Sequence, residues 1–121
     1  MKQFHLLLSF LILLFFISSV SAISSDLKSS YTKGETAIGQ ISGVILESIN
    51  NDNVELRRGH VLVPLEYELK KAGENYFIWF TSPLNENNYS LIIKDIVTII
   101  NGKTSSLDYV HNFTVVSNVS D

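Results

Sequence analysis

From Gly34 onward, short apolar stretches are separated by turn residues every eight to twelve positions, and no long stretch keeps a helical period. This rhythm confines the chain to antiparallel β architecture. Parallel strands need crossover connections of about a dozen or more residues, commonly helices, and none is legible here. The clearest strand covers residues 61–69, where Val61, Val63, Leu65, Tyr67 and Leu69 fall on one face against Leu62, Pro64, Glu66 and Glu68 on the other. Pro64 lacks a backbone donor, so this strand is expected at a sheet edge or with its ladder interrupted there.

Residues 71–75 form a turn into a strand at 76–81, and the two segments read as an antiparallel hairpin. Tyr76, Ile78 and Phe80 alternate with Phe77 and Trp79, an apolar pattern on both faces that suits a central strand. After the polar loop 84–88, Tyr89, Leu91 and Ile93 lead into 96–100. Asn101-Gly102 then gives a strong two-residue hairpin signal, because both central residues of a type I′ turn need positive φ. Weaker strands are expected at 37–46 and 54–58, a short helical turn at Ser105 or Ser106 with Asp108 near its start, and a last strand at 113–116. The sum is an all-β antiparallel sandwich of about seven strands. An immunoglobulin-like topology is the first choice, since Asn87-Asn88-Tyr89 followed by an alternating strand looks like a tyrosine corner. The usual core cysteines of that fold are missing, so a jelly roll or another sandwich stays open.

The start of the chain reads as a cleavable signal peptide over residues 1–22. Lys2 is followed by an apolar run from Leu6 to Ile17, broken only by Ser9, and then by small residues through Ala22. Twelve such residues make about 18 Å of helix against a hydrocarbon core of about 30 Å, so an uncleaved anchor is the weaker reading. Cleavage before Ile23 leaves a serine-rich polar spacer over 23–33, the domain over 34–117, and a tail or start of a linker over 118–121. The chain is expected to be secreted or at the cell surface, meeting the membrane only transiently through the signal.

Of nine Lys and Arg, Lys2 leaves with the leader, and the eight that stay face twelve Asp and Glu, a formal charge of −4. Such a surface gives no reason to expect nucleic acid. The absence of cysteine excludes a disulfide scaffold, a thiolate metal site and a cysteine nucleophile. It also leans toward a microbial surface protein.

No residue set supports an enzyme, a metal site or a cofactor. His60 reads as an exposed turn residue beside Gly59, and His111, near the last strand, lacks a second ligand at metal spacing. Glu66 and Glu68 read as a wet strand face, and Arg57-Arg58 as a solvated strand end whose side chains point opposite ways. Three glycosylation sequons begin at Asn88, Asn112 and Asn118. With ten asparagines and 22 Ser and Thr in 121 residues, about two are expected by chance, so three is no excess. Trp79 reads first as a core or half-buried tryptophan. The alternative makes it, with Tyr76 and Phe77, a platform for a glycan or a protein.

The run from Arg57 to Leu69, followed by the aromatic strand and by 88–96, resembles the first extracellular domain of uncharacterised archaeal secreted or surface-anchored proteins. The resemblance spans most of residues 31–117. It implies a signal peptide and sandwich domains, often with a carboxy-terminal anchor, and carries no catalytic residues. The expected role is non-catalytic: a structural or protein-contact domain of the cell envelope, partnered by an envelope protein or glycan. The alternative is a glycan- or peptide-binding module that uses exposed aromatics or a free sheet edge.

Overall fold

In the computed structural model, which describes residues 23–117, the alternation at 76–80 appears as geometry: Tyr76, Ile78 and Phe80 are buried while Phe77 is exposed and Trp79 half-buried. The expected leader at 1–22 and the tail from 118, with Asn118, lie outside the described residues. Nine strands run in order: β1 (Ser24–Ser25), β2 (Ser30–Thr32), β3 (Thr36–Ser42), β4 (Val54–Arg58), β5 (Val61–Val63), β6 (Tyr67–Ala72), β7 (Asn75–Thr81), β8 (Asn87–Ile100) and β9 (Lys103–Val116). Among the described residues the only helical element is a 3₁₀ turn at Asn51–Asn53, capped by Asn50 Oδ1, which accepts from the Asp52 N–H at 3.0 Å.

The strands form a four-stranded sheet in the order β1-β3-β7-β6 and a five-stranded sheet in the order β2-β9-β8-β4-β5. Every pairing is antiparallel except β2 with β9. The buried faces of the two sheets meet. Tyr31 on β2 packs edge-on against Phe80 on β7 at 6.0 Å and against Phe113 on β9 at 5.5 Å, and Tyr89 stacks on Phe113 at 5.7 Å. Among the described residues the buried apolar cluster runs from Leu27 to Val115.

Four expectations are corrected. The segment 23–33 is not a spacer. Its β1 pairs with β3 and its β2 with β9, while Leu27 and Tyr31 are 8% and 1% exposed. Burial of side chains this size contributes roughly 1.5–3 kcal/mol each, part of what offsets the ordering of a polar segment. Four further hydrogen bonds fix it: the Lys28 N–H donates to Tyr31 Oη at 2.8 Å, Thr32 N–H and Oγ1–H both donate to Glu35 Oε1, and Lys28 Nζ reaches Glu35 Oε2 at 2.5 Å.

The strand expected over 61–69 is two strands in two sheets. The chain pairs with β4 through Val63, leaves the ladder at Pro64, and pairs with β7 from Tyr67. Proline cannot donate to a ladder, so the interruption expected there becomes a change of sheet, and Val61 ends 54% exposed. The strand expected at 37–46 stops at Ser42, before Gly43 at φ 134°. The helical turn expected at Ser105 or Ser106 is strand. Asn101 and Gly102 sit at φ 52° and 77°, and this turn pairs Lys103 with Ile100 and carries 104–107 along Ile96–Ile99. These differences raise the count from about seven strands to nine.

Candidate functional site

β7 lies between β3 and β6, so its outward side chains occupy the middle of a sheet face. The register sets Ile38, Trp79 and Glu68 in one row across the three strands, and Gln40, Phe77 and Lys70 in the next. Cross-strand neighbours on one face are about 5 Å apart, so Trp79 is flanked by Ile38 on one side and Glu68 on the other. Ile38 is 67% exposed and Phe77 38%. Along β6, Lys70 Nζ stands 3.8 Å from Glu68 Oε2, both side chains in solvent. The face is thus an apolar and aromatic strip with a charged margin. It can cover another flat surface, or the ring face of a sugar, through the indole and phenyl.

Tyr76 does not belong to this face. It is 5% exposed on the core side, and its hydroxyl accepts the Ile49 N–H at 3.2 Å, anchoring the loop between β3 and β4. Strand parity separates it from Phe77 and Trp79.

The other sequence candidates are spread over different elements. His60 is exposed in the β4–β5 turn, where its carbonyl accepts from Arg57 Nη1–H at 3.3 Å. His111 stacks on Phe113 at 6.3 Å, and its Nε2 lies 2.8 Å from the Lys28 carbonyl. Glu66 is in the link between β5 and β6. Glu68 borders a shallow depression with Asn51, Tyr67, Leu69 and Lys70 that includes no histidine. Among the described residues no three His, Asp or Glu come together as a metal set, and no helix is long and apolar enough to cross a membrane.

Arg57 and Arg58 differ as strand parity requires: Arg58 is exposed, whereas Arg57 Nη2 pairs with Glu55 Oε2 at 3.0 Å. Lys94 Nζ meets the other oxygen of Glu55 at 2.7 Å, giving a Lys94–Glu55–Arg57 chain across the outer side of the five-stranded sheet. The Lys94 hydrogen bond, with that of Arg57, holds the Glu55 carboxyl below its ordinary range.

Tyr89, at the start of β8, donates its phenol hydrogen to the Asn85 carbonyl at 2.8 Å. On either side of it lies an arrangement not legible in the sequence. Asn88 stands opposite Thr114, and Ser90 opposite Asn112, so the two sequons face each other across the ladder. Thr114 Oγ1–H donates to Asn88 Oδ1 at 2.9 Å and Ser90 Oγ–H to Asn112 Oδ1 at 2.7 Å. A register counted straight from the Asn101-Gly102 turn would set Asn88 against Val115. The shift between Ile93 and Ile96 moves it by one residue.

Comparison of the chain with protein-family models, with curated proteins and with solved structures finds no match.

Proposed function

We propose that this chain is an immunoglobulin-like domain of the cell exterior, without catalytic activity, acting as a contact or spacer module of the envelope. The observation that carries the reading is the divided first strand, antiparallel to β3 in one sheet as β1 and parallel to the last strand in the other as β2. Taken as strands A and A′, these give the orders A-B-E-D and A′-G-F-C-C′, the order of variable-type immunoglobulin domains short of their C″ strand. The Tyr89 tie to Asn85, at the start of strand F, supports the same assignment as a tyrosine corner. Export rests on the leader pattern in residues 1–22, and kinship with archaeal surface proteins belongs to the same reading.

The contact surface in this reading is the outer strip of the exposed Ile38 and Phe77 with the half-buried Trp79, an apolar group of the kind that marks interaction sites. The test expresses the full chain in an exporting cell. The product outside should begin at Ile23 and bind isolated envelopes, and the I38E/F77E variant should keep its circular dichroism while binding at least about tenfold more weakly. An intact leader retained inside the cell, or binding indifferent to I38E/F77E, rejects the proposal.

A second reading, a glycan-binding module, is favoured by the half-buried indole between Phe77 and a charged margin. Iodide quenching of Trp79 that one envelope glycan suppresses would select it. An indole indifferent to every such glycan leaves the protein-contact reading.

A further inference from the structure

β9 is fourteen residues long, yet on its outer side it is paired only at its end, where β2 meets Thr114 through Val116. The Thr114 N–H donates to the Ser29 carbonyl at 3.0 Å, and the Val116 carbonyl accepts from the Lys33 N–H at 3.1 Å, so even-numbered residues of β9 turn their backbone groups outward. By the two-residue period, Thr104, Ser106, Asp108 and Val110 do the same. Among the described residues no strand pairs with them on that side. Within 104–110 there is no proline and no lysine; the one charged side chain is Asp108, and the ladder's irregularity lies opposite it on β8.

We infer that residues 104–110 of β9 pair antiparallel with the same residues of a second copy about a two-fold axis at Leu107, joining two five-stranded sheets into one. The side chains favour self-pairing in this register over one centred on Asp108. Centring on Asp108 would oppose two carboxylates, which is unfavourable on a sheet face. Centring on Leu107 instead sets Ser106 opposite the partner's Asp108, a hydroxyl donor against a carboxylate. It also sets Thr104 opposite the partner's Val110, a β-branched pair that covers a side chain otherwise 49% exposed. In this register the outward residues make hydrogen-bonded pairs, about eight main-chain bonds in all. The Asn101-Gly102 tip of each copy ends where β2 of the other begins. Closed two-fold pairing of this kind consumes both free edges and leaves no open filament. Seven paired residues a side bury less than the roughly 1,200 Å² of stable complexes, so the dimer is weak and concentration-dependent.

The chain has no cysteine, which makes single-cysteine crosslinking clean. In the proposed register Leu107 faces its own copy as a non-hydrogen-bonded pair, about 4.5 Å between Cα atoms and within disulfide reach. Thr104 lies about 20 Å from its own copy at 3.4 Å per residue. Oxidised at equal concentration, the full chain carrying L107C should form disulfide dimers at least about tenfold faster than that carrying T104C. Sedimentation of the cysteine-free chain, followed to about 1 mM, should show dimer that S106P abolishes without loss of the far-ultraviolet spectrum. Proline there removes only an outward donor. A monomer throughout overturns the inference and leaves the edge to a foreign strand. Equal crosslinking of L107C and T104C, or a dimer that survives S106P, overturns it as well.

Discussion

The side chain of Leu27 lies over the backbone of Gly39: a Cβ on Gly39 would stand 2.4 Å from Leu27 Cδ2 and 2.6 Å from its Cγ. Glycine in a strand interior is a weakness unless something occupies its missing side chain, and here Leu27 does. The polar segment before β3 owes its seat to that contact and to Tyr31. G39A is expected to cost about 1–3 kcal/mol by overpacking and L27A about 2–4 kcal/mol by truncation. Because L27A vacates the space the new methyl needs, the double variant should be less destabilised than the sum by at least about 1 kcal/mol. Urea titration of the four proteins decides it, and strict additivity would remove the contact from the account.

Thr98, on the inner side of β8 between Ile96 and Ile100, is 1% exposed, and its hydroxyl has no hydrogen-bond partner among the described residues. A buried, unpaired hydroxyl costs about 1–3 kcal/mol in lost hydration, and valine has the same shape without that group. T98V should therefore raise stability by about 1 kcal/mol in urea or thermal unfolding. A loss of similar size would mean that the hydroxyl has a partner.

Acid should act through three clamped carboxyls: Glu86, held low by its hydrogen bonds with Ser117, and two held by lysines. Lys28, with the Thr32 N–H, holds Glu35 below its ordinary value near 4.5, and Lys94, with Arg57, does the same to Glu55. A carboxyl depressed by folding contributes stability above its unfolded value and loses it as pH falls through the folded one. Stability should thus be level near neutrality and decline as pH drops below about 4.5. Lys28 is largely solvated, so E35Q should remove no more than about 1 kcal/mol at pH 7 and less at pH 3. Urea midpoints at both pH values test the sign, and an equal loss at both would show that the ion pair contributes nothing.

What the sequence made legible was local. Strand parity at 76–80 marks which side chains enter the core, and Asn101-Gly102 marks the turn, because both follow from single-residue geometry. The burial of Leu27 and Tyr31 was not legible, since two apolar residues in a serine-rich stretch show no period and their seats are made by Gly39, Phe80 and Phe113. The change of sheet at Pro64 was hidden because apolar parity runs straight through it. At the candidate face, alternation alone puts Phe77 and Trp79 on one side and Tyr76 on the other. Ile38 was missed, because it reaches Trp79 only through the β3–β7 register.

The opposition of the two sequons depends on Asp95, which holds φ 57° inside β8, with its N–H donating to Asp108 Oδ1 at 3.0 Å. This left-handed residue takes up the extra position that shifts the ladder by one. Glycine adopts such a φ freely, asparagine and aspartate tolerate it, and β-branched residues resist it. D95G should therefore leave stability within about 0.5 kcal/mol of the parent, and D95V should cost at least about 1–2 kcal/mol. The register itself can be followed separately, because Asn88 faces Thr114 only while the shift persists. Amide cross-peaks between β8 and β9 in D95G should keep Asn88 against Thr114. Peaks that set Asn88 against Val115 would show that the shift needs the aspartate side chain, beyond a backbone able to turn left-handed.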